Sequence, residues 1–368
     1  MTALIPKDAF IGIENVAHLA AGGEAPPLHE HVAAAAEFLG DKAAGMPGRE
    51  RMYATAERVR ARLAALLQVE AADVAFLATA SDGLFVAASG IDWRRGDNVV
   101  VALSEFPSVL HAWRRSRGVE LRAVGRAAVP RLEEIADAVD RRTRVIAASH
   151  VSYLTGARLD LAALRELADR ARARLVVDAS HALGVVPVDG SLCDVLVSCA
   201  YKWMLGVHGV GVFYVNSARW PDLTPPGVGW HSIEPEADWS RRTAYRAKLS
   251  GERFELGNYS FVSLYLLERG LGALERAGSA AITDHVLRLG GALREGLERL
   301  GLPVLTPADS MARAGNIAFA ADRPGQLEAR LRANGVIAWG GDRRLRLSVH
   351  GYNDEADVAR ALQVLGGT

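Results

Sequence analysis

Apolar residues recur at helical spacing in "EHVAAAAEFLGDKAAG" and "MYATAERVRARLAALLQV", which predicts two helices before residue 70. The pattern then changes to short, unbroken apolar runs. "VAFLA", "NVVVAL", "ELRAV", "RVIAASH", "RLVVDAS", "CDVLVSCA" and "GVGVFYV" read as strands. Helical stretches fall between most of them: "DGLFVAASGI", "FPSVLHAWRRSRG", "RLEEIADAV" and "LAALRELADRARA". Short strands without polar alternation, each followed by a helix, predict a parallel sheet covered on both faces. Only a Gly-rich turn separates the last two strands, and that connection fits an antiparallel pair.

After about residue 216 the texture changes. "NSARWPDLTPPGVGWHSIEPEADWSRR" is rich in Pro, Gly and Trp and reads as a long ordered loop, a feature usually tied to function or an interface. Two long helical patterns follow, "SLYLLERGLGALERAG" and "AAITDHVLRLGGALREGLERL". Then come "NIAFA", a helix "GQLEARLRANG", "RLRLSVH" and a last helix "EADVARALQVLG", an α+β arrangement around a small sheet. The expected division is a large domain over 15–250 and a small one built from 1–14 and 251–368. There are no internal repeats.

Composition narrows the function classes. Half of the 368 residues are hydrophobic and 23% are charged, ordinary for a globular protein. Lys+Arg and Asp+Glu both number 43, so bulk charge gives no reason to expect nucleic acid or an anionic membrane as a partner. The basic "RRSR" and "DRRTR" read as solvated element ends. No apolar run reaches the roughly 18 residues of a membrane span, and the N-terminus lacks the pattern of a signal peptide. The two cysteines, Cys193 and Cys199, form neither a disulfide framework nor a zinc pattern, and a reducing, cytoplasmic setting is the simplest expectation.

The chemistry lies at strand ends. In a parallel α/β sheet, ligands bind at the carboxyl ends of the strands. Asp178 ends "LVVD", His150 ends "VIAASH", and Ser198 and Lys202 follow "DVLV". A buried carboxylate needs a cationic partner, and a protonated pyridine nitrogen would be one. A lysine at a buried strand end can act as a nucleophile toward an aldehyde. This Asp–Lys combination suits pyridoxal 5'-phosphate (PLP). "LATASDGLF", a strand-to-helix turn carrying Ser81, offers backbone N–H groups for a phosphate.

Seven segments occur in an order that resembles the class V aminotransferase family of fold-type I PLP enzymes, which includes cysteine desulfurases, kynureninases and isopenicillin N epimerase-like proteins. They are "ATASDG", "SEFPSVLHAW", "SHVSYLTGARLDL", "DASHALG", "SCAYKWMLGVHGVGVFYV", "RFELGN" and "LRLSVHGYND". The resemblance spans essentially the whole chain. It implies a mostly parallel seven-stranded sheet flanked by helices, a smaller α+β C-terminal domain, PLP as cofactor, an amino-acid substrate and a homodimer. It further implies Lys202 as the Schiff-base lysine and proton shuttle, and Asp178 as partner of the pyridine nitrogen. His181 would meet the ring's phenolic oxygen or the substrate. Ala80 and Ser81 would cradle the phosphate, with Tyr201 meeting it as in kynureninases. Ser198 or Cys199 occupies the phosphate-ligand region. Phe106 or Pro107 would cover the ring, where desulfurases carry histidine. Asn258 would reach the partner subunit's phosphate. Arg346 would bind the substrate carboxylate, with Arg344 close by.

Departures from the family pattern bear on the reaction. "NGVIAWGGDRRLRL" lacks the desulfurase cysteine, so a persulfide mechanism is not expected. The "HVSYLTG", "DASHALGVVPVD" and "YK" segments look closer to kynureninases, whereas "VAHLAAGGEAPP" does not. His18, His31, His208, Trp230 and Trp339 lie in segments that could line a substrate site. Transamination is placed first. A C–S or C–C lyase, an epimerase and a non-catalytic PLP-binding sensor stay open as alternatives. No metal site is expected.

Overall fold

The computed structural model describes residues 2–115, 118–125, 131–235 and 244–367. Part of "RRSR" and the end of the long loop, residues 236–242, lie outside them. A two-residue strand, β1 (Ala17–His18), precedes two helices, α1 (His29–Ala43) and α2 (Met46–Leu67). The alternating region follows as β2 (Val74–Leu77), α3 (Ala80–Ser89), β3 (Asn98–Ala102), α4 (Pro107–His111), β4 (Glu120–Val124), α5 (Leu132–Ala138), β5 (Thr143–Ser149), α6 (Leu161–Ala171), β6 (Arg174–Asp178), β7 (Val195–Cys199) and β8 (Gly211–Val215).

The seven strands β2 to β8 form one sheet in the order β2-β8-β7-β6-β5-β3-β4. β8 runs antiparallel to both of its neighbours and the other pairings are parallel. Alternate residues feed two cores, which is why the strands read as continuous apolar runs. Val99, Val101, Val145, Val176 and Val197 pack on the face carrying α3 and Trp113. Val100, Ile146, Leu175, Val177 and Leu196 pack with residues of α2, α6 and the later helix α7 (Phe261–Ala277) on the other. α6 shows the local logic well. Asp160 caps it by accepting from Ala162 N (2.9 Å) and Ala163 N (3.2 Å), and Leu161, Leu164 and Ala168 fill its buried stripe. The stretch "FPSVLHAWRRSRG" yields only one α-turn after Pro107, continued as a 3-10 turn over Ala112–Arg115.

Beyond α7 the C-terminal region holds α8 (Ser279–Arg299), β9 (Asn316–Ala320), α9 (Pro324–Ala333), β10 (Val336–Ile337), β11 (Trp339–Gly341), β12 (Arg344–Ser348) and α10 (Glu355–Gly366). β11-β12-β9 make an antiparallel sheet. The expected boundary at residue 15 falls just ahead of β1, which pairs in parallel with β10. Leu19 then joins the core of the small sheet beside Leu289, Ile317 and Leu347. Among the described residues no helix is long and apolar enough to cross a membrane.

Candidate active site

β3, β5, β6 and β7 end at the same edge of the large sheet, and a cleft of about 410 Å³ opens there, within the ~300–1,000 Å³ usual for small-molecule sites. Ser81, Phe106, Ser149, Asp178, His181 and Lys202 are among the residues that line it. A larger groove, about 890 Å³, lies where β5 and β6 begin and is lined by Arg141, Arg144, Arg170 and Arg172. It brings no lysine and carboxylate together, so size does not decide the site.

Two close backbone approaches build the cleft. A Cβ on Gly211 would lie 2.3 Å from the carbonyl carbon of Thr79, so β8 can press against the entry to α3 only with glycine there. Gly184, at φ +101°, lies under the Trp203 carbonyl, where a Cβ would approach to 2.5 Å. That contact seats the segment after Asp178 against the turn carrying Lys202. Leu205 takes a left-handed φ of 54° in this turn while its side chain is fully buried. Core packing offsets the strain and holds the lysine turn in place.

Asp178 is 8% exposed and accepts from Ser180 N at 2.8 Å. Burial raises its pKa, against the hydrogen bonds of Ser180 and the Lys202 charge. A carboxylate so placed, open to the cleft, is suited to a cation that arrives with a ligand. Behind it lies Glu105, which sequence reading missed. It accepts from Ser149 N at 2.7 Å and from Ser149 Oγ, and burial pushes it up to about 7.

Across the cleft, Lys202 Nζ is 3.2 Å from His181 Nε2. The histidine is held by a second residue that sequence reading missed. Asn316 Nδ2 donates to His181 Nδ1 at 2.9 Å, and Ser348 Oγ donates to Asn316 Oδ1 at 2.8 Å, which fixes the amide orientation. Burial, then Lys202 and both arginines 346 and 344, hold His181 well below its usual range, so it is neutral. With Nδ1 accepting, its proton sits on Nε2, so the contact is a hydrogen bond when the Lys202 amine is unprotonated and accepts from Nε2–H. Asn316→Ala frees the other tautomer. Its expected effect is a roughly tenfold drop in kcat with KM little changed, and an altered pH profile. An unchanged pH profile would refute this positioning role.

At the other end, Thr79 and Asp82 form a capping box at the start of α3. Ala80 and Ser81 open the helix and line the cleft, and Ser81 Oγ lies 2.7 Å from Ser108 Oγ. Free N–H groups at such a helix start bind phosphate well. Phe106 stands edge-on to Tyr153 with ring centroids 5.2 Å apart, and 6.0 Å separates its ring from Lys202 Nζ. Tyr201 stacks on His208 at 4.1 Å and lines the cleft.

Other expected residues fall elsewhere. Ser198 is buried and does not line the cleft, whereas Cys199 does, because successive residues of β7 point to opposite faces. His150 likewise turns away, taking a 3.2 Å hydrogen bond from Arg158 Nε, and Ser149 occupies the edge instead. Asn258 lines a neighbouring cleft of about 540 Å³, where its Oδ1 accepts from Arg49 (2.8 Å) and Tyr53 (3.0 Å). Arg346 sits behind Tyr153, donating to its carbonyl at 2.9 Å. His18 bonds to Tyr352, and His31 closes the first turn of α1, so both serve the fold. Trp230 is exposed over His231, and Trp339 packs on Arg344 and Arg346. Both cysteines are free and buried.

The family model for aminotransferase class-V matches residues 48–361. An uncharacterized aminotransferase, YcbU, of Bacillus subtilis is 26% identical over 83% of this chain and 82% of its own length. A kynureninase of Pseudomonas fluorescens is 28% identical over 84% and 78%. A probable cysteine desulfurase of Pyrococcus abyssi is 27% identical over 72% and 67%. Among solved structures, the apo cysteine desulfurase of Thermococcus onnurineus NA1 superposes with a TM-score of 0.89 at 24% identity, covering 100% of this chain and 99% of that one. The cystine C–S lyase C-DES, in complex with cysteine persulfide, gives 0.88 at 20% identity, covering 97% and 99%. These last two likenesses concern the fold.

Proposed function

The chain belongs to the aminotransferase class-V family, whose cofactor is PLP, and from that premise we propose that it is an aminotransferase acting on an α-amino acid, with Lys202 holding the cofactor. The observation that carries this reading is the pairing, across one cleft, of a buried carboxylate with a lysine whose Nζ meets a neutral histidine. PLP, when bound, supplies an electron sink for charge left on the substrate α-carbon.

The chain's own residues would do the rest. Ala80 and Ser81 bind the phosphate at the start of α3. Asp178 would keep the ring nitrogen protonated, and Phe106 would cover the ring. Lys202 Nζ takes the α-proton and returns it, with His181 holding its orientation. Tyr201, next to the lysine in the cleft, would meet the phosphate. Arg346, bonded to the backbone of the cleft-lining Tyr153, would receive the substrate α-carboxylate, which suits a guanidinium.

A C–C or C–S lyase is the second reading. It is favoured by Tyr201 lining the cleft next to Lys202, as the resemblance to kynureninases leads one to expect. We also propose a cytoplasmic homodimer. Two buried free thiols agree with a reducing compartment. Exposed Phe85 and Leu256, beside the cleft that holds Asn258, agree with a covered surface.

The test is to add amino acids singly to the PLP-loaded protein without a keto acid and to follow the visible spectrum. An aminotransferase converts stoichiometrically to the pyridoxamine form and stops until an acceptor is supplied. Continuous product release without an acceptor would replace this reading with the lyase.

A further inference from the structure

β11 and β12 form a hairpin whose two turn residues, Asp342 and Arg343, both take positive φ (47° and 57°). It presents Arg344 and Arg346 two positions apart, on the same face of β12. Trp339, the register partner of Arg346, lies alongside both guanidiniums, 4.7 Å from Arg344 Cζ and 5.2 Å from Arg346 Cζ. On the other side the Tyr153 ring is 5.1 Å from Arg344 Cζ, and Tyr153 lines the Lys202 cleft. Arg344 is 2% exposed and Arg346 5%.

This is two buried positive charges in one aromatic bracket, and the one carboxylate beside them, Asp342, lies largely in solvent. Arg346 donates to an uncharged acceptor, the Tyr153 carbonyl. Arg344 Nη1 donates at 3.2 Å to Asp342, whose side chain is 62% exposed. Arg344 also meets the Tyr153 side chain, but its Nε and Nη2, and Nε of Arg346, are buried and find no acceptor among the described residues. Burial and the neighbouring Arg344 push Arg346 down to about 10. One α-carboxylate on Arg346 leaves Arg344 with only the exposed Asp342 carboxylate on Nη1 and its buried Nε and Nη2 unserved, so a lone monoanion satisfies only part of the bracket.

We infer that the substrate brings a second anion: an α-amino acid whose side chain ends in an acid group, with the α-carboxylate on Arg346 and the side-chain acid on Arg344. Residues two apart on a strand are separated by roughly 6.6 Å, comparable with the span of succinate or glutarate. The inference rests on the assignment of Arg346 to the α-carboxylate.

The test is calorimetric titration of the PLP-loaded protein with glutarate and, separately, with butyrate. The wild type is expected to bind glutarate about 10–100-fold more tightly, the worth of a charge-assisted hydrogen-bonded contact. Arg344→Gln should remove that preference, and Arg346→Gln should weaken both ligands. Equal affinity for the two ligands in the wild type overturns the inference whether or not a variant folds. Butyrate binding that survives Arg346→Gln unchanged overturns the α-carboxylate assignment instead, so the two failures are distinguishable.

Discussion

Lys202→Ala is expected to lower turnover by roughly 10⁴-fold or more, because the proton shuttle and the covalent hold on the cofactor are lost together. The fold should survive. Lys202 is only half-buried, and among the described residues its Nζ meets His181 Nε2 at 3.2 Å. Borohydride treatment followed by mass measurement gives a second readout. In the wild type it should fix the pyridoxyl group to the chain, and in the variant it should not. A variant with near-wild-type turnover would remove Lys202 from the mechanism and with it the reading of the whole cleft.

Asp178→Asn has two effects of opposite sign. Turnover should fall by about 10²–10³-fold, since a preorganised charge on the ring nitrogen is gone. The cofactor-free protein should be at least as stable as the wild type. The introduced amide would still accept from Ser180 N through its oxygen, and it replaces a carboxylate whose charge burial already disfavours with a neutral group. Kinetics and thermal melts of both forms check the pair of outcomes. Lost activity together with a destabilised apo protein would instead make Asp178 a structural residue.

Much of this site was legible from a single sequence, because charged residues closing apolar runs are expensive unless something binds them. Asp178 and Lys202 stand out on that ground alone, and the helix start at Ala80 and Ser81 follows from its position after a strand. What could not be read depends on contacts between distant segments. Choosing Cys199 over Ser198 needs the phase of β7 against the cleft, and a one-residue shift exchanges the two faces. Asn316 sits inside the strand-like "NIAFA" and meets His181 from 135 residues away, so no local pattern marks it. Glu105 hides beside Phe106 in a loop, and its role is visible only once Ser149 ends the neighbouring strand. β1, β10 and β11 span two or three residues each, too short for any periodicity, and exist because their partners do.

The pairing of β1 with β10 also sets an order of events during synthesis. Ala17 leaves the ribosome long before Val336, and Leu19 has no small-sheet core to enter until β9, β10 and β12 have followed. Pairings so distant along the chain close late and slowly. Among the described residues, the segments that line the Lys202 cleft precede residue 211, whereas Trp339, Arg344 and Arg346 emerge well after them. A nascent chain therefore has the described residues that line the Lys202 cleft before it has the arginines that, as proposed, would hold an acid group of its substrate.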